Sequence, residues 1–403
     1  RAPGTGVTIW LSGVGEYEDF EAGTKDADSF AVDLTTTNKV LWIEALESLI
    51  AGTGGDEWKV GSNNIDTPIT PTNFTIRQQT DFGGKNIQAM KVNEAILFVD
   101  FVGRKLREMT YSDAKQKFVA PDLSSLAEHI TVSGITSMAL QKNPDVILWF
   151  TLGDGTLISM TYEREQNVVA WSKHPFAGTV DVQSVCVIPG ASEDEVWLSI
   201  KRTMAGVNSG TFVIYIERMA SRTFTDIDDA YFVDSGITTT SNGAGLISGL
   251  SHLEGETVIV LGDGEEYTPT GVVTSGDVTI TGLNLTTVQA GLSSTYKLQP
   301  MRLDVSTGQG TTHGSIKKVP EIVVSFLNTL NARYGDSVST LYEIDWTDER
   351  WVNNTEITGL FTGDVVVAFD GGFNVDDPII ISDSGAMPCT VRAMVLRTDV
   401  TGR

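Results

Sequence analysis

The sequence predicts an all-β protein built from repeated strand hairpins, and three observations predict it. Threonine and valine are abundant, and glycine reaches 40 of the 403 residues. β-branched residues suit a pleated surface and glycine suits tight turns, so the pair reads as many short strands. Four hairpin-like segments then recur about 50 residues apart, which marks an internal repeat. They are Ser48 to Val60 with a turn at Gly52 to Gly55, Ala95 to Tyr111 with a turn at Gly103, Asp145 to Arg164 with a turn at Gly153-Asp154-Gly155, and Asp194 to Arg218 with Gly206 and Gly210 in its turn. Further apolar stretches, Gly134 to Leu140 and Asp181 to Ile188, lie between them.

A repeat of about 40–50 residues with about four strands is the period of a propeller blade. One small twisted sheet cannot bury both faces, and stacking several covers the faces and leaves short edges. The expected fold is therefore a β-propeller, incomplete at the N-terminus of this chain; a sandwich of unrelated meanders is the alternative. Helix signals are few. Ser124 to Ile130, after Pro121-Asp122, carries a serine with acids nearby that predicts one or two capped turns. Glu321 to Tyr334 reads as helix or, through Ile322-Val323-Val324, as strand.

The expected organisation has three parts: blades over 1–220, a connection and an inserted small β module over 221–300, and C-terminal strands over 301–403 that complete the propeller or a platform. Ser221 to Gly249 is rich in Thr, Ser, Gly and Asp and reads as the connection. Gly249 to Pro300, with turns at Gly262-Asp263-Gly264 and Ser275-Gly276-Asp277, reads as a compact small β-barrel or sandwich. Strands resume at Tyr296 to Val305, Val319 to Phe326, Asp364 to Phe369, Pro378 to Ile381 and Thr390 to Leu396, and Arg397 to Arg403 reads as an exposed tail.

Hydrophobic residues at 41% and charged residues at 20% are a globular composition. The net charge is −24, which repels phosphates and argues against a DNA-gripping role. It suits either plain solubility or a conduit that DNA must not stick to. Cys186 and Cys389 sit in apolar strand-like runs and are expected as buried free thiols rather than a disulfide framework. No run approaches the roughly 20 apolar residues of a membrane span, so no membrane insertion is expected. The first residues, Arg1 to Trp10, lack the apolar stretch of a signal peptide. The chain begins without Met and as if mid-domain, so more chain is expected before it.

Catalytic constellations are scarce. His129, His174, His252 and His313 are not at metal-ligand spacing from one another or from a cysteine. There is no G-x-S-x-G elbow, no phosphate loop and no dinucleotide fingerprint. The acidic turns suggest calcium only incompletely, and an Asp-Gly pair is first a hairpin turn. Two carboxylates from distant loops that cut a sugar are the serious rival, with eight tryptophans available to line such a site. Trp58, Trp149 and Trp197 fall inside the repeated hairpins, however, and read as blade core. The resulting expectation is a chain that is not an enzyme, with no catalytic residue, metal or cofactor.

Charged stretches beside aromatics remain. Glu16 to Phe20 and Tyr162 to Glu165 read as solvated edges with one ring turned inward, or as contacts with another subunit. The basic run Gly103-Arg104-Lys105-Leu106-Arg107 is too small for a DNA site and suits an acidic neighbour. Arg104, Lys105, Arg107, Glu163 and Arg164 are the candidate intersubunit contacts.

One ordered series of motifs resembles a known family. It runs Leu97-Phe98-Val99, Gly103 to Glu108, Val119-Ala120-Pro121-Asp122-Leu123, Leu126 to Ile130, Asp154-Gly155-Thr156-Leu157, Thr161 to Gln166, Val169-Ala170-Trp171, Val187 to Gly190, Asp194 to Trp197 and Tyr215 to Arg218. It resembles phage and prophage structural proteins of the nozzle, or tail tubular protein B, type. Gly249 to Gly255 opens a small module of the kind such proteins carry, similar to the FCCH domain of ubiquitin-activating enzymes but implying no ubiquitin chemistry. The likeness runs from Trp10-Leu11-Ser12 to Met387 through Val391. It implies a virion protein made in the host bacterial cytoplasm, six copies forming a ring below the portal and adaptor of a short-tailed phage. That ring extends the DNA channel, through which genomic DNA passes without specific binding, and supports fibres or a distal tip. No catalytic residue carries over. A receptor-binding or polysaccharide-degrading tail component, or a hub or tip protein of a long-tailed phage, is the alternative. A loop from Ser221 to Gly249 or from Arg350 to Phe361 is available to narrow the channel.

Overall fold

The computed structural model describes residues 7–63, 67–304, 306–307, 310–312, 314–353, 357–375 and 378–401. His313 and residues 354–356, 402 and 403, which the sequence reading touched, lie outside the described residues. The chain is all-β. Its strands are joined by turns and, among the described residues, four short 3-10 turns. It forms two compact units, one of residues 1–174, 181–200 and 216–219, the other of 175–180, 201–215 and 220–403.

The first unit is a stack of antiparallel meanders. The first sheet takes Val40–Ala45, Leu49–Thr53, Glu57–Gly61 and Thr75–Thr80 in chain order. The second takes Met90–Val92, Ala95–Val99, Leu106–Ser112 and Lys117–Val119. The third takes Ile135–Gln141, Ile147–Leu152, Leu157–Glu163 and Val168–His174. The hairpins legible in the sequence are the middle pairs of these sheets. Residues 181–189, 194–200 and 216–218 of this unit belong to a further sheet of three strands, Thr179–Pro189, Asp194–Thr203 and Phe212–Arg218.

Alternation explains the stacking. Every residue of Ala95–Val99 is buried. Its side chains leave on alternate faces. Ile96 and Phe98 join Trp42 and Ile50 of the first sheet. Leu97 and Val99 join Leu148 and Phe150 of the third. Ala51, Trp58 and Val60, on the far face of the first sheet, pack with Phe30 and Val32 of an N-terminal hairpin. Trp42 lies so close to Gly52 and Gly84 that a Cβ at either position would collide with its indole. The all-β reading with repeated meanders holds, while closure of the sheets into a propeller is not shown.

In the second unit the small module begins earlier than expected. Its sheet runs Asp234–Thr239, Val288–Leu292, Ile259–Gly262, Glu265–Tyr267, and a second pair joins Leu246–Ser248 to Asp277–Thr279. Within the stretch read as connection, Asp234–Thr239 and Leu246–Ser248 are therefore strand. Ile247, Leu250, Val260, Val278 and Val288 share one core. The C-terminal part centres on the strand Ile316–Thr329, paired with Phe361–Ala368 on one side and Val391–Thr401 on the other. This settles the helix-or-strand ambiguity, since Ile322 and Val324 face the core of the sheet and β-branched residues favour that geometry. The expected tail is exposed at Arg397, Asp399 and Val400, and it continues as strand to Thr401, opposite Ile316.

Two more expectations are corrected. Ser124 to Ile130 forms turns, not a helix. The Ser124 amide and hydroxyl both donate to Asp122, so the local bonds close a turn. Cys186 is exposed and Cys389 half-buried. Cys186 falls on the outward side of its strand between inward Val182 and Val185 and exposed Ile188.

Candidate functional site

Three of the five residues singled out by the sequence, Lys105, Arg107 and Arg164, lie along the seams between successive sheets. The turn after Ala95–Val99 is organised by Asp100. Its Oδ1 accepts the amides of Gly103 at 2.9 Å, Arg104 at 3.1 Å and Lys105 at 3.2 Å. Gly103 has φ +87°, the left-handed region where glycine carries no Cβ penalty. The turn leaves Phe101, Val102 and Arg104 outward. It brings Lys105 to Asp122 at 3.0 Å and Glu128 at 3.2 Å. Its bond to Asp122, then that to Glu128, raises the Lys105 ammonium above its ordinary range. Burial acts to raise Asp122, but bonds from Ser124 and Lys105 outweigh it and hold that carboxyl below its usual value.

Along Leu106–Ser112 alternation throws charges to opposite faces. Arg107 turns to the first sheet. Its guanidinium donates to the Ala120 carbonyl at 2.9 Å and lies 3.4 Å from the Phe82 ring centre. Across that seam is Glu57, wholly buried at the start of Glu57–Gly61. Burial pushes its carboxyl up to about 7, against the Thr80 hydroxyl bond, a backbone bond from Phe82 and the Arg107 charge, and Asp56 adds to the rise. Glu108 turns to the third sheet and meets Arg164 at 3.1 Å. Burial and the adjacent Glu108 also raise the Tyr162 phenol. The same device thus occurs twice: an acid on the third strand of one sheet faces a base at the third strand of the next.

Of the candidate contacts, Lys105, Arg107 and Arg164 therefore have partners inside the chain. Arg104 is exposed and Glu163 half-buried just before the 3-10 turn Arg164–Gln166. The partners Glu57, Glu108, Asp122 and Glu128 were not identified from sequence. Glu57 alone carries a local signal, an acid inside the apolar hairpin beside Trp58. The tryptophans of the hairpins behave as expected at two positions: Trp58 and Trp149 are buried, and Trp197 is half-buried. The aromatic Glu16 to Phe20 stretch has no inward ring, as Tyr17 and Phe20 are both exposed.

No family model matches the chain, and no curated protein matches it. Solved structures do. One is a luciferin-regenerating enzyme, 12% identical, with a TM-score of 0.23, covering 48% of this chain and 80% of its own. A second is a glycoside hydrolase family 43 arabinoxylan arabinofuranohydrolase from Bacillus subtilis in complex with cellotetraose, 9% identical, TM-score 0.24, covering 98% of this chain and 93% of its own. A third is a glycoside hydrolase, 9% identical, TM-score 0.23, covering 87% and 81%. The expectation of a non-enzyme is corrected here: these three solved structures are enzymes, so that exclusion is withdrawn. At these TM-scores the likeness carries no argument for any particular activity.

Three of the acids have local structural roles. Asp56 accepts from the Trp58 indole at 2.8 Å and from the Thr53 hydroxyl, and Glu57 beside it is buried. Asp154 accepts the Thr156 amide at 3.1 Å, and Asp263 accepts the amides of Thr286 and Thr287 at 3.0 Å and 2.8 Å. These turn acids spend their oxygens on backbone N–H groups, as turn-forming Asp does. Among the described residues no group of three or more His, Cys, Asp and Glu side chains is placed to hold a metal ion.

Proposed function

We propose that the chain is a structural component of a phage tail, a nozzle subunit that forms a six-membered ring below the portal and adaptor. The ring extends the DNA channel and carries fibres or a distal tip. The observation that supports this reading most is the convergence of the motifs that carry the family resemblance. The run Gly103 to Glu108, the run Val119 to Leu123, Glu128, Tyr162 to Arg164 and Trp171 are far apart in sequence. They meet through Lys105 with Asp122 and Glu128, Arg107 with Ala120, Glu108 with Arg164, and the Trp171 indole donating to the Leu123 carbonyl at 3.1 Å. Residues that hold successive sheets together are those a shared architecture would keep in order and spacing.

The charge fits the same reading. Six copies, each at −24, would carry about −144 in all, and acids facing a lumen would repel the DNA backbone and let it slide. The ring would use heterologous contacts, one face of each subunit on a different face of the next. Arg104 and Glu163 remain the candidates for them.

Imaging of the intact virion by cryo-electron microscopy tests the proposal, with density for six copies of this chain between adaptor and tip as the expected result. The other reading, a receptor-binding or polysaccharide-degrading tail component, is tested by incubating the purified protein with host surface polysaccharide. Release of reducing ends would establish that reading instead.

A further inference from the structure

Two exposed surfaces of the first unit take no part in its core. One is the loop of residues 14–22, carried by the N-terminal hairpin of Thr8–Leu11 and Phe30–Asp33. Every residue from 14 to 22 is exposed, and Tyr17 is 84% exposed. Val14, Tyr17 and Phe20 alternate there with Glu16, Glu18, Asp19 and Glu21, and no base occurs in the stretch. The loop is nevertheless held in one shape. The Gly13 amide donates to the Asp19 carbonyl at 3.0 Å, the Val14 amide to the Ala27 carbonyl at 2.9 Å and the Asp19 amide to the Glu16 carbonyl at 3.1 Å. Asp19 Oδ1 accepts the Glu21 amide at 2.8 Å. A loop fixed in this way loses little freedom on docking, and apolar rings offered to water on it mark a contact surface.

The other surface is the turn organised by Asp100. Phe101 is 61% and Val102 69% exposed, and Arg104 is exposed beside them. Leu126, 95% exposed, and the exposed Val132 belong to loops tied to this turn. Lys105 bonds to Glu128, and the Gly103 carbonyl accepts the Ile135 amide at 2.7 Å. Asp122 and Glu128 take up the charge of Lys105. Arg104 is bound into the turn through its backbone amide, and its side chain stands at the surface. The turn thus joins exposed apolar side chains to an exposed base. Tyrosine and arginine are also the side chains on which protein contacts most depend.

We infer that the 14–22 loop of one copy docks on the turn of Phe101, Val102 and Arg104 in the next copy. Tyr17 and Phe20 meet Phe101 and Val102, and the loop's carboxylates surround Arg104. Charge complementarity selects this occupant. A chain at −24 repels four clustered acids over most of its own surface, whereas this turn offers them a base among apolar side chains. The placement suits a ring. The hairpin packs on the face of the first sheet that carries Ala51, Trp58 and Val60. The second sheet, which carries the turn, packs on the face of Trp42 and Ile50. The hairpin and the second sheet therefore lie on opposite sides of the first sheet, and the contact joins different faces of neighbouring copies, as a closed ring requires. The inference rests on the ring reading and names its interface.

Sedimentation velocity of the whole chain over a range of concentrations tests this with two variants. One reverses the turn, Arg104→Glu. The other reverses the loop at three glutamates whose carboxylates take no part in the bonds that hold it, Glu16→Lys with Glu18→Lys and Glu21→Lys. The parent should self-associate, and each variant alone should do so at least about tenfold more weakly. Mixed in equal amounts, the two variants should associate as strongly as the parent, because each supplies the surface that complements the other. Recovery in the mixture also shows that both are folded. Unchanged association of either variant, no recovery in the mixture, or a parent that stays monomeric at every concentration would overturn the inference. Failure here with six copies imaged in the tail defeats this contact and leaves the nozzle reading. Recovery in the mixture with no copies in the tail defeats the nozzle reading and leaves the contact.

Discussion

Glu57 is the residue whose chemistry departs most from what its position in a chain would suggest. Its ordinary value of 4.5 is raised to about 7 in the folded protein, chiefly by burial. A group with a raised folded value stabilises the fold fully below its unfolded value, and that contribution is lost as pH rises through the folded one. Stability should therefore fall between about pH 4.5 and pH 7, by about 3 kcal/mol for this group. Glu57→Gln should remove that slope and leave the variant more stable than the parent at pH 8. Chemical denaturation at pH 5 and pH 8 measures both. Asp100 makes a second prediction at this scale. Asp100→Ala leaves the Arg104 and Lys105 amides without this acceptor, while the Gly103 amide keeps the Asp100 carbonyl, and should cost about 2 kcal/mol in the same assay. Neither role was legible in the sequence. Glu57 meets Thr80 and Arg107, and Arg107 itself was read as a surface contact, because strand alternation gives the face of a residue but not which sheet covers that face.

At the scale of the element, the meander is the unit and its faces are the glue. The hairpins from Ser48, Ala95, Asp145 and Asp194 were legible because turn glycines and β-branched runs are local signals. So was the burial of Trp58 and Trp149. The short helix at Ser124 was not, since Asp122 captures the serine's donors before a helical turn forms. Cys186 was misread because an apolar run does not say which of its alternating residues face outward. Phe98 tests the stack. It is fully buried and 5.2 Å from Trp42, ring centre to ring centre. Phe98→Ala should lower stability by about 3–5 kcal/mol through lost burial and the cavity left behind. Gly52→Ala adds only a methyl group, yet should cost about 1–3 kcal/mol because the added carbon meets the Trp42 indole. A Trp42→Leu background should recover part of that loss, which distinguishes collision from simple strand propensity.

At the scale of the molecule, the excess of 52 acids over 28 bases has to be placed somewhere. Inside the first unit three bases, Lys105, Arg107 and Arg164, lie in the seams with acids beside them. A surface left rich in acid resists adhesion to nucleic acid and resists self-association except where contacts are built for it. The composition and the hairpin repeat carried the fold class and its meanders; the closure of sheets and the assembly of copies depend on long-range geometry that no local pattern encodes. Cryo-electron microscopy of the intact phage particle tests the central claim most directly. The expected result is six copies of this chain in a ring between the adaptor and the tip, with acidic side chains toward the channel. A particle whose tail lacks the chain, or a ring whose lumen is basic, would contradict it.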